Sequence, residues 1–260
     1  MSKTKRKGFL KVTFLLTVSF FTLVIYRATH YGDIETKSKD ALRIGYVNLN
    51  KSSVREADME MMANADCDIW LLAEWNGDNL PQRFVEEGGY AIVYEYVDDF
   101  TYGFLVLAKP ERMLASKLFD EDGGPYACNY QKVAVHHPDY LIGFLHAPPP
   151  VPSCNYETDN YIKDALDAFR ETANNQILIG DFNALPFGKS YEMIVAEEFA
   201  DAFAGAKIGE GTFGFCPILP KLLRVDYCFI KGNITVERKY RFPLRSSDHG
   251  GLIVDLMIND

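Results

Sequence analysis

Three short apolar runs in this chain end on, or open from, a carboxylate, and this pattern constrains the fold more than any other feature. Ile69-Trp70-Leu71-Leu72-Ala73 ends at Glu74, and Ile177-Leu178-Ile179-Gly180 ends at Asp181. Arg224-Val225 leads to Asp226, with Tyr227-Cys228-Phe229-Ile230 behind it, and a fourth acid, Asp248, precedes His249 and the last apolar run. Short apolar runs bounded by turn signals read as buried strands. Ionised carboxylates beside such strands are costly unless paired or bound to a cation. If these acids meet, they repel one another until a divalent ion neutralises them. The donors on offer are oxygens, from the acids together with Asn48 and Asn183, and this suits a hard ion such as Mg²⁺. No Cys or His cluster has zinc-ligand spacing.

The rest of the chain alternates apolar runs with amphipathic stretches. Residues 42–49, 67–74, 90–96, 103–108, 131–136, 141–146, 176–182, 224–230, 234–240 and 251–258 read as strands, and 52–64, 158–172 and 189–199 as helices. The His-Pro-Asp turn at 137–139 predicts a hairpin between the strands at 131–136 and 141–146. About ten strands are too many for one helix-flanked parallel sheet, so the expected fold is α/β with two packed sheets. Residues 41–260 form the one domain of this kind, without repeats or low-complexity segments. Trp70 and Phe169 belong to its core. Gly180 reads either as a close approach of the backbone to the site or as a simple strand-end glycine.

Charge is unevenly spread. Residues 1–30 hold six of the 27 Lys and Arg and none of the 36 Asp and Glu, so residues 31–260 carry 21 cations against 36 anions, a net charge of −15. That excludes a body clad in basic nucleic-acid clamps, because polyphosphate binding draws on Lys and Arg to displace counterions. Behind the cationic flank, Val12 to Tyr26 run without charge. A spanning helix wants about 20 apolar residues and a signal-peptide core about 7–15, so the flanks decide. With no good small-x-small cleavage site after the run, residues 1–29 read as a cytoplasmic basic flank and an uncleaved transmembrane anchor, with a cleaved signal as the alternative. Residues 30–40 then read as a polar stalk, and the N-terminal cations send the body to the extracytoplasmic side of the cell membrane. Of the five cysteines, Cys67 and Cys228 read as buried thiols, and Cys128–Cys154 is favoured over Cys154–Cys216 as a disulfide.

Asn48, Glu74, His146, the GDFN of 180–183, the RVDY of 224–227 and the SDH of 247–249 occur in that order. With this set the chain resembles the endonuclease/exonuclease/phosphatase superfamily over residues 42–258, GDFNA and SDH being the specific parts. The proline-rich HAPPP of 146–150 and the TFGFCPILPKLLRVDY of 212–227 look most like the membrane-linked bacterial branch. The resemblance implies two packed mixed sheets with helices outside, a four-layer sandwich, and a phosphoesterase, a hydrolase using Mg²⁺ or Mn²⁺. It makes Glu74, Asn48 and Asp248 metal contacts, with Asn48 also a candidate for the phosphate. Asp181 deprotonates the attacking water, Asn183 hydrogen-bonds the phosphate, Asp226 holds the His249 imidazole, and His146 assists the phosphate or leaving group. Many relatives place an acidic or aromatic partner near that mid-chain histidine, and no such partner can be picked out here. Arg224 is open between a bidentate phosphate contact and a pair with a neighbouring acid.

The expected function is therefore a membrane-anchored phosphodiesterase acting as a monomer on nucleic acid, a lipid headgroup or a small phosphodiester. The rival from another class is a catalytically idle binding module on the same fold.

Overall fold

In a computed structural model, the described residues are 13–14, 17–26, 31–77, 85–97, 103–112, 115–118, 132–150, 158–170, 173–207, 209–214, 216 and 220–259. They form two six-stranded sheets. The first sheet holds β1 (Leu42–Asn48), β2 (Ile69–Trp75), β3 (Ala91–Tyr96), β4 (Gly103–Ala108), β11 (Ile234–Phe242) and β12 (Gly251–Ile258), in the order β11-β12-β1-β2-β4-β3. The second holds β5 (Ala115–Leu118), β6 (Lys132–His137), β7 (Tyr140–His146), β8 (Gln176–Asp181), β9 (Ala200–Asp201) and β10 (Asp226–Lys231), in the order β5-β6-β7-β8-β10-β9. Each sheet is mixed. Its central pair is parallel, β1 with β2 and β7 with β8, and the remaining pairs are antiparallel.

Alternation along the strands sorts the side chains into layers. Ile44, Tyr46, Leu71 and Val106 face Ile142, Phe144, Ile179 and Cys228 in the core between the sheets. The outer face of the second sheet presents Leu141, Leu178 and Phe229 to two helices, α2 (Thr158–Phe169) and α3 (Lys189–Ala196). In α2 the buried Tyr161, Ile162, Ala165, Leu166 and Phe169 recur at helical spacing, so one stripe packs and the rest faces water. The outer face of the first sheet, with Val47, Trp70, Leu72 and Leu105, is covered by α1 (Glu56–Asn64) through Met62. Trp70 and Phe169 are core residues, as their runs implied. The 137–139 hairpin forms with His137 paired to Tyr140.

The parallel pairs decide where the site sits. Their four strands end together, so Asn48, Glu74, His146 and Asp181 lie at one end of the sandwich. Asp226 opens β10 directly across from Asp181. Gly180 allows β8 to close on β7. Its φ is +151°, and a Cβ there would lie 1.8 Å from the Leu145 carbonyl oxygen. Gly180→Ala is expected to cost at least the ~1–3 kcal/mol of core overpacking plus backbone strain, and to appear as a lower urea midpoint at unchanged m-value.

Residues 31–40 belong to the segment 30–40 that the sequence reads as a polar stalk. They form a strap along β11, the edge of the first sheet. The Arg241 guanidinium lies 5.5 Å over the Tyr31 ring, Arg238 donates to the Thr36 carbonyl at 2.7 Å, and Ser38 bonds Glu237. The strap is thus tied to the edge strand through the side chains of β11. Its end is held by Lys37 on Asp68 and by Arg43 on the Glu35 carbonyl at 2.8 Å. Residues 13–14 and 17–26 are helical. Among the described residues no helix is long and apolar enough to cross a membrane. Cys67, Cys216 and Cys228 carry free thiols, the first and last of them buried. Cys128 and Cys154, and with them the favoured disulfide, fall outside the described residues.

Candidate active site

Glu74 is aimed by a local irregularity. The β2–β4 register shifts between Ala73 and Trp75, which leaves Glu74 as the extra residue of a bulge with φ +51°. Bulges and left-handed non-glycine residues cost energy and tend to re-aim side chains at sites. Here the carboxylate is turned to Asn48 Nδ2 at 3.2 Å and His146 Nε2 at 3.4 Å. Asn183 is the second such residue, with φ +46°. Its backbone N–H donates to Asp181 Oδ1 at 2.8 Å, and its amide donates to the Ala147 carbonyl at 2.8 Å and Asp181 Oδ2 at 3.2 Å. Asn48 Nδ2 also donates to Asp181 Oδ2, at 3.3 Å. Asn183 thus holds Asp181 in place, rather than presenting a free amide to a phosphate.

The His249 ring is clamped by Asp226, with Nδ1 2.9 Å and 3.1 Å from its two oxygens, leaving Nε2 3.8 Å from Asp181 Oδ2. One ligand-capable atom each from Asp181, Asp226 and His249 lies within 4.8 Å of the others, and all three residues are buried. Among the described residues this cation-capable grouping consists of the expected base, Asp181, and the His249–Asp226 pair rather than the expected metal contacts Glu74, Asn48 and Asp248. Glu74 and Asn48 adjoin it through Asp181. Asp248 Oδ1 is buried without a hydrogen-bond partner. Carboxylates at this end of the sandwich, one with a buried and unpartnered oxygen, form a donor set that fits a hard divalent cation.

The electrostatics divide the two histidines. Burial alone would lower the pKa of His249, but Asp226, its hydrogen bond, Asp181 and Asp248 together raise it to about 10, so the ring is an imidazolium at neutral pH. Burial pushes His146 down, and Glu74 only partly opposes it, leaving His146 the neutral partner. Burial, then the facing Asp226, drive the Asp181 carboxyl well above the usual range, and burial likewise raises Asp248. Groups whose environments push their pKa values apart are the pattern of an acid–base site.

The partner of His146 that the sequence left unassigned is Glu74, with the Phe104 ring 6.1 Å away. Arg224 settles on its other reading. It pairs with Asp201, donates to the Phe203 carbonyl at 2.8 Å and lies 4.6 Å over the Tyr227 ring, so its guanidinium is engaged away from the acid cluster. Four residues escaped the sequence reading. Tyr46 is fully buried on the same face of β1 as Asn48, and burial, then Asp226 and Asp181, drive its phenol up. Thr212 Oγ1 accepts the Asp226 N–H at 3.1 Å. Ser247 donates to the Asn48 carbonyl at 2.7 Å and accepts the His249 N–H at 3.0 Å. Lys221 donates to the Ser247 carbonyl at 2.8 Å. For Tyr46 a signal existed, because residues two apart on a strand share a face. The other three lie inside the quoted SDH and TFGFCPILPKLLRVDY segments, but their contacts are made across loops and their roles could not be read from those segments alone.

The sequence matches the family described as Endonuclease/Exonuclease/phosphatase over residues 47–249. Solved structures show the same fold. An endonuclease/exonuclease/phosphatase family protein from Bacteroides thetaiotaomicron is similar at TM-score 0.62 and 17% identity, covering 87% of this chain and 100% of that one. A mannosyl-6-phosphatase from the same organism gives 0.61 and 18%, covering 83% and 99%. D. rerio TDP2, complexed with single-strand DNA product, gives 0.64 and 14%, covering 84% and 99%. The search of the curated proteins found no match.

Proposed function

We propose, from the premise that the chain belongs to the endonuclease/exonuclease/phosphatase family, that it hydrolyses a phosphodiester with the help of a divalent cation, Mg²⁺ or Mn²⁺. The observation that carries this reading is the convergence of Asp181, Asp226 and His249 within 4.8 Å, next in the chain to Asp248, whose Oδ1 is buried without a hydrogen-bond partner. Glu74, Asn48 and Asp248, with the Asp181 group beside them, would hold the ion. When bound, it supplies charge neutralisation at the acids and at the phosphate.

This chain's own residues do the rest. Asp181 is the base for the attacking water, fixed in direction by Asn183 and Asn48. Held by Asp226, the His249 imidazolium donates from Nε2 to the charge that develops on the phosphate oxygens. Neutral His146, oriented by Glu74, faces the leaving-group side. A contact of Asn183 with the phosphate requires it to exchange its bond to Ala147 or Asp181. The apolar run of residues 12–26 is proposed to hold the chain in the cell membrane as a single-pass anchor, with the body extracytoplasmic and monomeric.

The His249–Asp226 unit is tested by a double-mutant cycle on an aryl phosphodiester. Asp226→Asn and His249→Ala should each lower kcat by about 10²-fold or more, and the double variant should be little worse than either. Independent, multiplicative losses would show that the two do not work as one group.

A further inference from the structure

The strap along β11 fixes which end of the body the N-terminal segment leaves from. β11 runs antiparallel to β12, with Phe242 paired to Gly251 and Ile234 to Ile258. Residues 241–242 therefore lie at the end of the sheet next to His249, and Ile234 at the opposite end. The strap follows this direction, with Tyr31 at Arg241, Thr36 at Arg238 and Ser38 at Glu237. Arg241 also donates to the Gly211 carbonyl at 2.9 Å, at the base of the hairpin whose Phe213 pairs with both Leu223 and His249. The chain before residue 31 thus emerges beside the catalytic end of the sandwich. Only residues 27–30 separate Tyr31 from the apolar run, a reach of at most about 18 Å at ~3.6 Å per residue.

The same end exposes large apolar side chains. Phe187 is 90% exposed and Leu185 50% on the loop that follows Asn183, and Leu222 is 50% and Leu223 37% exposed on the hairpin beside His249. Both loops belong to the end of the sandwich that carries Asp181 and His249, so these are more than scattered exposed residues. We propose that this end of the body lies against a phospholipid bilayer, with Phe187 and Leu222 entering its interfacial zone, and that the phosphodiester brought to Asp181 and His249 belongs to a lipid headgroup. The proposal rests on the phosphodiesterase and anchor readings above. The body's net charge of −15 opposes an anionic surface, so the fitting bilayer is zwitterionic.

The test uses the full chain reconstituted into phosphatidylcholine vesicles. Phe187→Trp should add fluorescence that lipids brominated near the headgroup quench. In the same vesicles, the double variant Phe187→Ser, Leu222→Ser should lose about 10-fold or more of phosphatidylcholine turnover while keeping its rate on a soluble aryl phosphodiester. Both substitutions are at exposed positions outside the catalytic set, so the soluble rate also reports that the variant is folded. A chain that fails to float with the vesicles, a Phe187→Trp signal untouched by the bromolipid, equal loss on both substrates, or preferential turnover of single-stranded DNA would each overturn it. Absence of turnover on every substrate with quenching intact would instead count against the phosphodiesterase reading and leave the membrane-facing surface standing.

Discussion

Asp181→Ala is expected to lower kcat on an aryl phosphodiester by about 10²-fold or more, because it removes the base and the hub on which Asn48 and Asn183 converge. The same substitution should change how the protein responds to metal. In the wild type, an ion that binds the folded cluster and not the unfolded chain stabilises by about 2.7 kcal/mol at a hundred times its dissociation constant. For a domain of this size that is roughly 5–10 °C in Tm. A thermal melt with Mg²⁺ and with EDTA should show that gap in the wild type and lose most of it in Asp181→Ala. The EDTA melts of the two proteins should lie within a few degrees of each other. A variant that keeps both turnover and the metal-induced shift would remove Asp181 from the site.

The largest stability effect is expected far from the cleft, at Asp255. Arg43 and Asp255 are buried neighbours on β1 and β12, bonded in two places, Nε to Oδ1 at 2.6 Å and Nη2 to Oδ2 at 2.7 Å. Arg43 Nη1 also donates to the Ala65 carbonyl at 2.9 Å, so one guanidinium ties the strap, α1 and the last strand together. Removing one member of a buried pair strands the other charge, at a cost of about 3–5 kcal/mol. Asp255→Ala should lower stability by that amount in urea unfolding. Replacing both residues by apolar ones of similar volume should cost much less, because nothing is then left uncompensated. A loss under about 1 kcal/mol for the single variant would mean that the Arg43 charge finds water or another acid.

The parts of this molecule legible in its sequence are those with a local cause. Apolar runs of six to eight residues, such as Ile69–Trp75 and Gly251–Ile258, became strands because nothing but a sheet interior buries them on both faces. The acids at their ends converged because the central strands are parallel and finish on the same side. What the sequence hid depends on partners distant along the chain. Residues 31–40 look like a solvated spacer until Arg238 and Arg241, some 200 positions later, bind them. Asp58 sits on a helix with an ordinary polar pattern, yet it is buried and accepts the N–H groups of Arg245 and Ser246, which shapes the loop carrying Asp248 and His249. The strands Ala115–Leu118 and Ala200–Asp201 were missed because four and two residues carry too little periodicity to separate them from loop. Arg224 was undecidable from sequence because both a phosphate and Asp201 satisfy a guanidinium, and only the fold brings Asp201 within reach.

The central claim is that the acid cluster works as a metal-assisted phosphodiesterase site. It is tested most directly by following turnover of a soluble aryl phosphodiester by the full chain as Mg²⁺ is titrated into protein stripped with EDTA. The prediction is no measurable rate without the ion, and a saturable rise that Mn²⁺ reproduces and Asp181→Ala abolishes. Turnover that persists undiminished in EDTA would contradict the metal-assisted mechanism, and none at any metal concentration would leave the fold as an idle binding module.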